Sequence, residues 1–191
     1  MIILLAVVLD VQLFGFADAQ TPDATKSQKV YGAWILECAI LDQKPSAKTT
    51  GPIPRPGSIP DFELPKRKAC QVTQTFKNKK TGNEFARLAF APDPKRKNGM
   101  VIGLRTPVDV SFDVPVRVSI TEKKFVDGHF KRCVKEHCFA FLFPKPSDLK
   151  TLNNAKNATL QFPISDGRSI RFPMSTNGLE SAIDALKKNI K

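Results

Sequence analysis

HFKRCVKEHCFAFLF, residues 129–143, sets Cys133 and Cys138 around four intervening residues, places both of the chain's histidines beside them, and follows with Phe139, Phe141 and Phe143 in alternation. A period of two is the period of a β-strand. With Val134 to His137 as its turn, the segment closes as an antiparallel hairpin in which Cys133 faces Cys138. Counting outward puts Arg132 opposite Phe139, Lys131 opposite Ala140, Phe130 opposite Phe141 and His129 opposite Leu142. Directly opposed Cβ atoms sit close enough for a disulfide. On this register Phe139, Phe141 and Phe143 share a face with Phe130 and present an aromatic row to the core.

Whether those thiols oxidise depends on the compartment. Residues 1–16, MIILLAVVLDVQLFGF, are apolar apart from Asp10 and Gln12, and Ala17-Asp18-Ala19 follows as a small-x-small cleavage pattern, so residues 1–19 read as a signal peptide and residues 20–191 as the exported part. A permanent span needs about 20 uninterrupted apolar residues, and this run is shorter; no transmembrane span is expected once the signal is removed. No Lys or Arg precedes the run, which sets it apart from most secretory signals. Loss of residues 1–19 removes two acids and no base, so the exported part is more basic than the net charge of +12 for the whole chain. Its length suits a single domain with a substantial core.

Four cysteines, Cys38, Cys70, Cys133 and Cys138, fall in the exported part. An even count in an exported chain reads as two disulfides with three possible connectivities. Pairing Cys133 with Cys138 leaves Cys38 with Cys70, and chain-entropy estimates give these about 2 and about 4 kcal/mol respectively.

The remaining pattern is also β. Residues 30–40, VYGAWILECAI, read as one strand. The stretch 42–66, rich in Pro, Gly and Ser, reads as a long surface loop, because proline fixes φ and lacks the amide donor. Such loops tend to be mobile or used for binding. Further strands are expected at 70–76, 84–90, 100–105 and 116–121, and a hairpin is expected where 158–164 and 168–174 flank Ser165-Asp166-Gly167. A short helix is expected near 147–155, capped by Ser147. An amphipathic helix over 178–190 closes the chain, with Asn177 as cap, Glu180 completing a capping box, and Leu179, Ile183, Leu186 and Ile190 on one face. The class is mainly β: an antiparallel sandwich or barrel-like domain with these two helices.

Catalysis has no motif here. There is no Gly-x-Ser-x-Gly elbow, no His-Glu-x-x-His and no glycine-rich phosphate loop. A metal or redox protein built on the Cys/His cluster is the remaining chemical alternative. In the hairpin register His129 shares the cysteine face but lies about 13 Å along the strand from Cys133, too far for a shared metal. His137 sits in the turn and adds only a third ligand. A redox pair typically uses Cys-x-x-Cys at a helix start, a different spacing in a different setting. No enzyme, cofactor or metal is expected.

The charge forms clusters: Lys66-Arg67-Lys68, Lys77 with Lys79-Lys80, Lys95-Arg96-Lys97, Lys123-Lys124, and Lys131-Arg132 with Lys135. Lysines in turns often do no more than solvate them. Gathered on one rim, Lys66, Arg67, Lys68, Lys95, Arg96, Lys97, Lys131, Arg132 and Lys135 make a candidate surface for anionic partners: envelope lipid, lipopolysaccharide or a host glycan at the cell surface. Nucleic acid is not expected, since no binding motif accompanies the charge and the export signal argues against it.

Several segments in order carry a family resemblance. Tyr31-Gly32-Ala33-Trp34 with Cys38, Cys70-Gln71 with Gln74, Arg132-Cys133 with Cys138-Phe139-Ala140, and the closing Gly178-Leu179 to Ala185-Leu186 together resemble the invasion-associated locus B family of exported bacterial proteins. Ala33 stands where that family usually has an acid, and the Pro-rich insert and strong basic charge exceed an average member's. The resemblance implies a periplasmic or outer-membrane-associated protein, in some pathogens linked to virulence through entry into host cells. An envelope-homeostasis role without host contact is the rival it leaves open. It implies no catalytic residues.

Overall fold

The computed structural model describes residues 26–42 and 66–190. The expected signal peptide 1–19 and the expected Pro-rich loop 42–66, apart from its end residues, lie outside these. Ten strands and two helices follow in the order β1 (Lys26–Tyr31), β2 (Trp34–Asp42), β3 (Lys66–Lys77), β4 (Glu84–Pro92), β5 (Met100–Pro107), β6 (Val116–Ser119), β7 (Phe125–Val134), β8 (His137–Leu142), α1 (Pro146–Asn153), β9 (Ala158–Pro163), β10 (Ser169–Met174) and α2 (Leu179–Asn189). All ten strands join one antiparallel sheet, ordered β1-β2-β3-β4-β5-β8-β7-β6-β9-β10, with β1 and β10 as open edges. The first five are neighbours in sequence. The chain then crosses to lay down β6, β7 and β8 in reverse, and α1 carries it back to β9.

Alternation builds the core. Leu36 and Cys38 of β2, Val72 of β3, Leu88 and Phe90 of β4, Ile102 and Leu104 of β5, Ala140 and Leu142 of β8, and Leu160 and Phe162 of β9 point to one interior. α2 covers the inner side of β1–β3 with Leu179, Ala182, Ile183 and Leu186. Phe76 and Phe85, from β3 and β4, pack their rings on Phe172 of β10 at 4.5 and 5.0 Å, which brings the far edge of the sheet over the near half. The result is sandwich-like.

Four expectations need correction. Residues 30–40 are two strands, because Gly32, at φ 58°, and Ala33 form a two-residue turn, and β2 begins at Trp34. The first helix starts one residue earlier than expected. Its N-cap is Lys145, whose N–H donates to the Asp148 carboxylate at 2.8 Å, while Pro146 occupies the first turn, where its missing N–H costs nothing. The second helix is entered through Gly178 at φ 82°, without a side-chain cap. A Cβ on Gly178 would lie 2.1 Å from the Tyr31 carbonyl oxygen, so glycine is required twice over. Ile190 is the C-cap of the helix and is partly exposed.

The fourth correction concerns the hairpin. Cys133 faces Cys138 and Arg132 faces Phe139 as counted, but the register then slips at Lys131, a β-bulge, so that Phe130 faces Ala140 and His129 faces Phe141. The turn is the pair Lys135-Glu136, with Lys135 at φ 53°. Cys138 is fully buried. Alternation from it sends Ala140 and Leu142 inward, leaving Phe139 and Phe141 half-buried on the outer face and Phe143 exposed. The bulge absorbs the extra residue, Lys131, and so keeps Phe130 in the core while Phe139 and Phe141 of the opposite strand face out.

Candidate functional site

The disulfides join directly opposed residues. Cys38 of β2 bonds Cys70 of β3, and Cys133 of β7 bonds Cys138 of β8; no cysteine is free. The first bridge closes the strands that lead into and out of the Pro-rich segment. The second clamps the two-residue turn.

The histidines are elsewhere. With the bulge in place, His129 opposes Phe141 on the outer face and is exposed, and His137 is exposed at the start of β8, opposite Val134. Among the described residues no three His, Cys, Asp or Glu side chains come close enough together to hold a metal ion.

Strand direction divides the basic clusters between two ends of the sheet. Lys66-Arg67-Lys68 begins β3, Lys95-Arg96-Lys97 joins β4 to β5, and Lys123-Lys124 joins β6 to β7, all at one end of these strands. Lys77 with Lys79-Lys80, and Lys131-Arg132 with Lys135, lie at the other. Three of these cations also have work inside the fold. Arg96 bonds Asp93 through Nε at 2.5 Å and the Met100 carbonyl through Nη2 at 2.7 Å, and lies over the Phe143 ring. The Lys95 N–H and the Arg96 guanidinium hold the nearly buried Asp93 carboxyl below its ordinary value. Lys124 ties the β6–β7 turn to α1 through Thr151 and Asp148, and Lys68 reaches Asn189 at the end of α2. Lys66, Arg67, Lys95, Lys97, Lys131, Arg132 and Lys135 remain exposed, with no ion pair among the described residues.

Three of the four ordered motifs of the sequence converge on one place. Trp34, fully buried, donates its indole N–H to the Ser175 carbonyl at 3.0 Å. Gln74 donates to the same carbonyl at 3.2 Å and accepts from the Ser175 N–H at 3.2 Å. The Ala33 N–H bonds the Asn177 carbonyl. Tyr31 to Trp34, Gln74 and Gly178 thus clasp the first hairpin to the segment entering α2. Their role is architectural.

Sequence reading passed over the outer face of the sheet. There Arg87 bonds Glu37 at 2.5 Å and Thr73 at 3.4 Å, Gln71 reaches Glu37 at 3.2 Å, and Arg105 pairs with Glu84. A trough of about 400 Å³ runs there, floored by Ala89 and Gly103 and walled by Phe139 and Phe141. Outward-facing positions on five strands reveal themselves only once the registers are known.

A family model described as "Invasion associated locus B (IalB) protein" matches residues 62–187. Among solved structures, the chain is similar to the invasion associated protein B of Bartonella henselae, with a TM-score of 0.61 and 14% identity, over 85% of this chain and 96% of that one. At that identity the likeness is one of fold. No curated protein matches the chain.

Proposed function

This chain belongs to the invasion associated locus B family, and from that premise we propose that it is an exported, disulfide-stabilised envelope protein, without catalytic activity of its own, that assists contact with or entry into host cells. The observation that carries the reading is the engagement of all four cysteines in two bridges. Disulfides of this kind persist in the periplasm and beyond it, not in a bacterial cytosol. They also leave no cysteine thiol free to ligate a metal. The exposed cations at both ends of the sheet supply a surface for anionic envelope lipid, lipopolysaccharide or a host glycan. The rival reading, an envelope-homeostasis factor with no host contact, shares the bridges and differs in the cell biology.

A strain lacking the protein separates the two. Loss of host-cell entry with unchanged detergent and antibiotic sensitivity supports the host role. Normal entry with a weakened envelope supports the rival and overturns the proposal.

A further inference from the structure

The outer face of β4, β5, β8 and β7 carries a row of residues that folding does not ask for. Pairing aligns Arg87 with Arg105, Arg105 with Phe139, and Phe139 with Arg132, so three arginines and one phenylalanine occupy one row across four strands, about 14 Å at the usual strand spacing. The next row sets Gly103 beside Phe141. Like charges directly opposed across a sheet destabilise it, as does glycine inside a strand. Yet a Cβ on Gly103 would meet nothing closer than the Phe141 ring at 3.8 Å, an ordinary contact. Packing therefore does not demand the glycine. What the missing side chain does is keep the trough open against the two rings.

The charges there are unevenly matched. Arg87 is engaged by Glu37, but Arg105 uses only Nη2, on Glu84, and its covered Nε–H has no acceptor. Arg132 has no carboxylate partner among the described residues. Guanidinium donors beside an aromatic wall suit a ligand that offers a carboxylate or sulfate and, one ring-width away, a flat CH-rich surface. We infer that this face binds an acidic saccharide, the sugar ring lying over Gly103 against Phe141 and Phe139, and its anionic substituent held by Arg105 and Arg132. Single-stranded nucleic acid uses similar chemistry; the choice of saccharide rests on the exported reading above, whereas the site itself does not.

The test is calorimetric titration of the oxidised full chain, expressed with its own leader. The probes are a heparin hexasaccharide, an oligogalacturonate of equal length, a neutral cello-oligosaccharide and oligo-dT. The acidic saccharides are expected to bind, and the neutral one to bind far more weakly. Arg105→Gln should weaken binding about tenfold or more, the loss expected for a charge-assisted contact, and Gly103→Val, which fills the trough with a good strand former, should weaken it about as much by excluding the ring, both with the melting temperature kept. Lys188→Gln, on the exposed side of α2, should leave it unchanged. No binding of either acidic probe, equal binding of oligo-dT, or full affinity in Gly103→Val would overturn the inference. Mass spectrometry of the same sample keeps the failures apart: missing disulfides would count against the exported reading, whereas intact disulfides without saccharide binding count against this site alone.

Discussion

The indole N–H of Trp34 donates to the carbonyl oxygen of Ser175 at 3.0 Å, across 141 positions of sequence. One bond thereby joins the start of β2 to the segment that enters α2, and Gln74 completes it by bonding both the N–H and the C=O of Ser175. Trp34→Phe should cost about 2 kcal/mol, from the lost donor and the void left in a fully buried site. Gln74→Ala should cost a similar amount. Because both act on Ser175, the double variant should cost less or more than the sum by at least about 0.5 kcal/mol, read from urea midpoints; strict additivity would mean the clasp is not a unit.

The two bridges should contribute unequally. Cys38 and Cys70 are 32 residues apart and Cys133 and Cys138 only 5. Constraint of the unfolded chain then favours the longer loop, about 4 against about 2 kcal/mol. Paired Cys→Ala variants compared by chemical denaturation should rank in that order.

Lys131 is the extra residue of the bulge, and neither its side chain nor its presence sets the pairing beyond it. Lys131→Ala should change stability by less than about 0.5 kcal/mol, as exposed positions do. Deleting the residue brings Phe130 next to Arg132, so a regular ladder keeps Phe130 opposite Ala140 and Gly128 opposite Leu142, with Phe130, Gly128 and Val126 still facing the core. The deletion should therefore keep cooperative thermal unfolding; its loss would show that the local twist of the bulge is itself required.

Asp93 gives the β4–β5 turn an acid limit. Its carboxyl titrates below the ordinary 3.8 in the fold, held down first by the Lys95 N–H and then by Arg96. A depressed carboxyl contributes stability that is whole above its unfolded value and lost as pH falls through its folded one. Wild type should accordingly lose stability faster than Asp93→Asn below about pH 4, while the variant should be the less stable of the two at neutral pH. Melting curves across that range read both effects.

How much of this the sequence disclosed depended on register. Local alternation located most of the strands, and the cysteine count with one hairpin led to both bridges. The second strand at the N-terminus was hidden because Gly32 and Ala33 interrupt an otherwise continuous apolar run by only two residues. The outward turn of Phe139 and Phe141 was hidden by Lys131, since a bulge leaves no mark in composition and reverses every face beyond it. The arginine row was hidden for a related reason: Arg87, Arg105 and Arg132 are far apart in sequence, and only pairing across four strands brings them together. The basic clusters had the opposite fault. They stand out in sequence, yet Arg96, Lys124 and Lys68 are partly occupied in tying turns and helices to the sheet.

The proposed role is tested most directly by binding of the oxidised protein to intact host cells at low and high salt. Saturable binding that weakens as salt screens the exposed cations is the expected result. Absence of binding at low salt, in protein whose two disulfides are verified, would contradict the account.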